Sequence, residues 1–180
     1  MKWDLPGLFS DKVKQLSTIT NPTTYATWQQ YLLEICGVAA FPQARAYLKE
    51  QLESESELVR QWAITAAGNS LNERWLPRLI DFLSEAPDRP YAKKALVQYG
   101  LGLIDILPDY FRRDEIDIED VRRLPAVMEQ IGQQATVNLL LAMLAKFYPS
   151  DLEFRLEAIR SLCKLRRNFP DLNMPAAQIY

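Results

Sequence analysis

The chain has 180 residues, suited to one or two globular domains or a single repeat array, with 48% hydrophobic and 24% charged residues, as in an ordinary folded protein. A net charge of −2 and a pI near 5.3 argue against a general binder of phosphate backbones. There is no histidine, which removes the commonest general base and metal ligand, and two cysteines cannot complete a four-ligand zinc site.

Met1-Lys2-Trp3-Asp4-Leu5-Pro6 lacks the apolar core of a signal peptide. Residues 1–20 read as a lead-in or cap, with a helix candidate from Ser10 to Ile19. A first helix pair spans 21–53. Asn21 can cap, Pro22 suits the first helical position, and Tyr25, Trp28, Leu32 and Ile35 form an apolar stripe ending at Cys36-Gly37. Its second helix starts near Phe41-Pro42 and carries Ala44, Leu48 and Leu52. The second unit, 54–86, opens on Ser54 and Glu57 as a capping box. Its stripe is Val59, Trp62, Ala63 and Ala66, closed by Gly68. Asn72 caps a partner helix with Trp75, Leu76, Leu79, Ile80 and Leu83. The third, 87–116, starts at Asp88-Arg89-Pro90, runs through Ala92, Ala95, Leu96 and Tyr99 to Gly100, and returns through Leu103, Ile104, Leu107, Tyr110 and Phe111.

The fourth unit, 117–149, has the clearest periodicity: Val121, Leu124, Met128 and Ile131, a stop at Gly132, then Val137, Leu140, Leu141 and Leu144. The fifth, 150–180, is incomplete. It opens on Ser150 and Glu153 as a capping box and carries Leu152, Leu156, Ile159 and Leu162. The longest uncharged run, Gln130 to Ala145, is too short and too polar to span a bilayer.

The register ties the units together. Gly37, Gly68, Gly100, Gly132 and Cys163 are 31, 32, 32 and 31 residues apart. Ala44, Trp75, Leu107 and Leu139 follow the glycines by seven, and Leu48, Leu79, Phe111 and Met143 by eleven. Three columns in phase predict an all-α fold, a right-handed α-solenoid of four to five helix pairs.

The segment Leu58-Val59-Arg60-Gln61-Trp62-Ala63-Ile64-Thr65-Ala66-Ala67-Gly68 resembles the first helix of a HEAT repeat, and prolines expected inside helices at Pro77, Pro108 and Pro125 fit that family. The resemblance covers roughly residues 21–169. Val121 to Gly132 and Leu162 to Leu172 are similar to the soluble HEAT-repeat regions appended to bacterial membrane transporters of the ATP/ADP-translocase-like type, although the chain has no transmembrane segment of its own. With Asn173-Met174-Pro175 reading as the start of another helix, this resemblance implies a domain excerpted from a longer protein, cytoplasmic and tethered to the inner membrane through a region not in this chain.

Candidate sites follow from these expectations. Cys36 and Cys163 occupy equivalent positions four layers apart, about 40 Å at the usual helix spacing, too far for a disulfide. They read as small buried residues at helix ends, and cysteine rarity fits a reducing compartment. Tryptophans 28, 62 and 75 read as core. Asp114, Glu115, Asp117, Glu119 and Asp120 lack the glycine of a calcium loop and read as a solvated linker with acids at a helix N-terminus.

Residues 121–180 carry eight Lys or Arg against five acids, whereas 61–120 carry seven against eleven. Arg160, Lys164 and Arg167 share one face of the last long helix and could meet an anionic partner. Lys49, Arg78, Arg112 and Lys146 lie on second helices, which in a HEAT array line the concave side, together with Glu50, Asp81 and Asp109. Mixed charge there suits a protein partner better than nucleic acid.

The expected function is a non-enzymatic interaction scaffold, with no catalytic, cofactor or metal site. The alternative is a HEAT-like DNA glycosylase or other nucleic-acid binder using Trp75, Arg78 and Asp81, disfavoured by the acidic middle third. A third reading, a HEAT-like chromophore lyase binding a tetrapyrrole, has no residue in its favour. Open repeat ends leave self-association available.

Overall fold

In the computed structural model, described here for residues 4–112, 118–147 and 151–174, the fold is all-α. Among the described residues there are ten α-helices and no strand. The contacts divide the chain into two compact units, Met1–Trp75 and Leu76–Tyr180. Each is described by itself.

The first unit begins earlier than the sequence suggests. Helix α1 runs Leu5–Leu16, not from Ser10, because the Asp4 carboxylate accepts from the Gly7 N–H at 3.1 Å and Pro6 is tolerated in the first turn. Phe9 and Leu16 of α1 are buried, so this segment contributes to the core. Helix α2, Pro22–Cys36, has the expected start: Asn21 Oδ1 accepts from Thr24 N at 3.0 Å, and Pro22 occupies the first turn. Helix α3, Pro42–Leu52, buries Ala44, Leu48 and Leu52 as expected, together with Tyr47. Helix α4, Glu57–Ser70, packs against both α2 and α3 through Val59, Ala63, Ile64, Ala66 and Ala67.

The inward stripe of α2 is not the expected one. Leu32, Leu33, Cys36 and Gln29 are buried, while Tyr25, Trp28 and Ile35 are exposed. Gln29 Nε2 donates to Gln51 Oε1 of α3 at 2.8 Å inside this layer, and that buried pair fixes the rotation of α2. Trp28 is therefore a surface residue, Trp62 is half-buried and Trp75 is core.

The glycine column also changes meaning. Gly37 ends α2 in a right-handed conformation (φ −68°), and its value is space: a Cβ there would lie 3.2 Å from Asn69 Cβ and 3.3 Å from the Ala66 carbonyl oxygen on α4. Gly68 lies inside α4, which ends at Leu71 with φ +48°. Ser56, not Ser54, precedes α4, and the Ser54 hydroxyl accepts from Ser56 N, so the expected capping box is not formed. A 3₁₀ turn, Glu73–Trp75, closes the unit, opened by Asn72 Oδ1 accepting from Arg74 N.

The second unit contains α5 (Leu76–Asp81), α6 (Arg89–Gln98), α7 (Leu101–Tyr110), α8 (Ile118–Ile131), α9 (Gln134–Ala142) and α10 (Leu152–Asn168), with a π turn at Met143–Phe147. Pro108 and Pro125 lie inside α7 and α8, whereas Pro77 falls in the first turn of α5. Helix α8 is the hub, touching α5, α6, α9 and α10. Three residues of its expected stripe, Val121, Leu124 and Met128, are fully buried, together with Val127, while Ile131 is half-buried. Arg89 ties down the segment before α6, donating to the Leu83 and Ser84 carbonyls at 2.6 and 2.9 Å, while Phe82 and Leu83 fill the interior.

Helix α10 packs along α8 in a different phase from the one expected. Phe154, Ala158, Leu162 and Leu165 are buried; Leu152 and Leu156 face solvent. Cys163 consequently lies within α10 and is exposed, which corrects its reading as a buried helix-end residue, whereas Cys36 is buried as expected; both are free thiols. Asp151 caps α10, accepting from Phe154 N at 2.8 Å; Ser150, the expected cap, lies outside the described residues. The chain then folds back on the junction between α8 and α9. The Phe169 ring lies against Gly132 (φ +65°), and Gln134 exchanges two hydrogen bonds with the Asn173 backbone at 2.8 and 2.9 Å.

Candidate functional site

Helix α2 carries apolar residues on two sides. The inward set builds the core; the outward set, Trp28, Tyr31, Ile35 and then Val38, follows helical spacing for about 15 Å of axis. Val38 is 85% exposed. After Cys36 the chain turns tightly, with Val38 N and Ala39 N both donating to the Ile35 carbonyl at 3.1 and 2.8 Å. This turn holds Val38-Ala39-Ala40 beside α1, where Leu5 and Leu8 are also exposed.

Between α1, α2 and this turn lies a hollow of about 450 Å³, lined almost wholly by carbon: Leu5, Leu8, Ile35, Val38 and Phe41 over Phe9. Its floor is rigid. The Phe9 ring meets Phe41 and Tyr47 edge-on, at centroid distances of 5.3 and 5.8 Å. One cation stands at its rim: the Lys12 ammonium lies 5.6 Å from the Trp28 ring and donates to Gln15 Oε1 at 3.0 Å. Burial raises the Tyr47 phenol above its ordinary range and pushes the Cys36 thiol up to about 12, so both stay protonated and chemically quiet at neutral pH.

On the other side of the turn lies a shallow groove of about 550 Å³, lined by Pro42, Arg45, Ala46, Lys49, Arg74 and Trp75. The outer face of α3 supplies Arg45, Ala46 and Lys49; the 3₁₀ turn supplies Arg74 and Trp75. Three cations and no carboxylate line it. None of the three is ion-paired among the described residues, whereas Lys14, Arg78, Arg112, Arg122, Arg160 and Lys164 are. A narrow cleft containing Val38, Ala39, Ala40, Arg45 and Trp75 joins groove and hollow, and an Arg45 N–H donates to the Ala40 carbonyl across it.

Compared with family models and with curated proteins, the chain gave no match.

Of the cations expected to line a common face, Lys49 is in this groove. The others lie in the second unit. Arg78 stacks over Phe82 at 3.9 Å and pairs with Glu85 (3.2 Å) and Asp81 (3.9 Å), which neutralises the Arg78 and Asp81 expected to serve a nucleic-acid site; Trp75 is only 7% exposed. Arg112 pairs with Asp109 at 2.5 Å. The Lys146 side chain, and Asp114, Glu115 and Asp117 of the acidic run, lie outside the described residues. On α10, Arg160 pairs with Glu157 at 2.6 Å, Lys164 reaches Glu129 of α8 at 3.1 Å, and Arg167 is exposed.

A cluster at the start of α10 was not foreseen. The Arg122 guanidinium bonds Asp151 at 2.9 Å and Glu153 at 2.7 Å and also meets Glu119. Its hydrogen bond, with that from Phe154 N, holds the Asp151 carboxyl below the ordinary value of 3.8, and the acids raise the guanidinium pKa in turn. Partners 29 residues apart leave no local sequence signal. Among the described residues no helix is long and apolar enough to cross a membrane, and no group of three or more His, Cys, Asp or Glu could hold a metal ion.

Spacing alone predicts Ile35 in the core, whereas it forms part of the wall of the hollow. The available signal was an excess of apolar residues: α2 has more of them than one stripe can hold.

Proposed function

We propose that this chain is a non-enzymatic protein-interaction module, a HEAT-like α-solenoid serving as a docking region, whose partner is a protein seated on the apolar hollow of the first unit. The carrying observation is the exposed set Leu5, Leu8, Ile35 and Val38 around an aromatic floor of Phe9 and Phe41, with Trp28 and Tyr31 exposed at helical spacing further up α2. Isolated exposed apolar residues are ordinary, but a concave cluster with aromatic members is what protein interfaces use as anchors. The 31–32 residue register and the succession of short helices support the repeat reading. The lack of histidine in the sequence supports a binding role over catalysis. The resemblance of Val121–Gly132 and Leu162–Leu172 to transporter-appended HEAT regions supports a docking role within a larger, membrane-tethered protein.

The test is site-specific photocrosslinking in cells. A benzophenone side chain at Tyr31 is expected to trap a defined protein adduct that disappears when Val38→Asp is added, while the same probe at Arg167 traps none. Absence of an adduct at Tyr31, or equal trapping at both positions, overturns the reading.

A further inference from the structure

Resting on the docking role just proposed, we infer that the partner element is a single acidic amphipathic segment, which seats apolar side chains in the hollow and lays its carboxylates over Arg45, Lys49 and Arg74. Continuity and charge carry the inference. Hollow and groove are neighbours across one turn: the narrow cleft between them shares Val38, Ala39 and Ala40 with the hollow and Arg45 and Trp75 with the groove. The apolar end is too large for one side chain: about 450 Å³ accommodates two or three, the number that a helical segment offers on one face within about 15 Å. A small apolar ligand would normally be mostly enclosed, yet Leu5, Leu8 and Val38 on the rim are 60, 49 and 85% exposed. An open trough of this kind suits a partner that keeps one face in water.

The basic end specifies the rest. In a chain of net charge −2, the convergence of three cations without ion partners on one groove creates a local positive field. The arginines offer planar forks that match carboxylates, and Trp75 and Pro42 give an apolar wall for the stems of Glu side chains. A carboxylate-rich segment would be steered to the groove and fixed in direction by the apolar anchor beside it.

The experiment titrates the full chain into three fluorescent peptides: one apolar half followed by one Glu-rich half, the apolar half alone, and the acidic half alone. The hybrid is expected to bind saturably and about tenfold more tightly than either half. Its affinity should fall as salt rises. Lys49→Glu with Arg74→Glu, both at exposed positions, should cost the hybrid about tenfold and leave the apolar half unaffected; Val38→Asp should weaken both. Circular dichroism melts of the variants, expected to match the parent, verify folding.

Equal binding of hybrid and apolar half, with no effect of the charge reversals, overturns this inference and leaves the docking role standing. No saturable binding of any peptide, with no effect of Val38→Asp on cellular crosslinking, overturns both. A concentration-dependent dimer in sedimentation that Val38→Asp abolishes assigns the depression to a second copy and overturns the inference, as does tighter binding of an RNA or DNA duplex than of the hybrid.

Discussion

Helix α2 of the first unit and α10 of the second pose the same problem and solve it differently. Each offers two sets of residues at helical spacing, sharing Leu32 in α2 and Leu162 in α10, so spacing alone does not choose which set is buried. In α2 the choice follows from close packing. Small residues Ala63, Ala66 and Ala67 on α4, and Gly37 within 3.3 Å of Ala66 and Asn69 for any added Cβ, leave no room for tyrosine or tryptophan rings. The Gln29–Gln51 bond sets the rotation, and the aromatics turn outward. In α10 the choice follows from charge. Asp151 meets Arg122 at one end and Lys164 meets Glu129 further along, so α10 is held against α8 by ionic contacts on its flanks. The first unit is left with an open apolar face, the second with a clasped one. Where two stripes compete, polar partners decide between them.

The largest effects should come from exchanging stripes. Leu33→Ala on α2 removes a side chain that is 1% exposed and should cost about 2–5 kcal/mol, whereas Ile35→Ala, two residues on and 43% exposed, should cost about 0.5 kcal/mol or less. All four tryptophans belong to the first unit, so their fluorescence in a urea titration reads this difference. In the second unit Phe154→Ala should cost about 3–5 kcal/mol and Leu152→Ala almost nothing, followed by far-UV circular dichroism. Equal costs within either pair would break the comparison.

Next is the fold-back onto the junction of α8 and α9. Gly132→Ala places a Cβ at φ +65° and against the Phe169 ring, and should destabilise by about 2 kcal/mol. Adding Phe169→Ala should recover the steric part and leave about 1 kcal/mol of backbone cost. Additivity of the two substitutions would remove the fold-back from the account.

The ionic clasp should give a smaller effect. Asp151→Ala loses the α10 cap and should cost about 1 kcal/mol. Because the Asp151 carboxyl is held below 3.8, its stabilisation is complete above the ordinary Asp value and is lost as pH falls through its lowered folded value. Asp151→Asn should therefore remove part of the acid limb of the stability profile and leave the profile above about pH 5 parallel to the parent. The mildest probe is chemical. In native protein a maleimide should label Cys163 rapidly and leave Cys36 unreacted, and both should label in denaturant; rapid labelling of both, or of neither, would mean that one helix is wrongly phased.

Legibility followed locality. The starts of α2 and α3 were readable because a cap and a proline act within one turn. The stripe of α8 was readable because that helix is surrounded, so its apolar residues have little choice of direction. The stripes of α2 and α10 were not, since each has apolar residues to spare and the selecting contacts join residues 22 and 29 positions apart. The site suffered most. Lys49 was singled out, but Arg45, Arg74 and the hollow were not, because nothing in a linear pattern brings the face of α3 to the turn after α4.

By itself, then, the sequence determined an all-α chain of short helices, the starts of α2 and α3 and most of the core of α8, since these depend on backbone geometry and spacing within a few residues. Tertiary structure alone decided which apolar stripes were buried, gave Gly37 its role as a spacer, and brought three lysine and arginine side chains together beside an apolar hollow. Those outcomes depend on steric fit and polar pairing between distant segments, which a single chain written in order does not display.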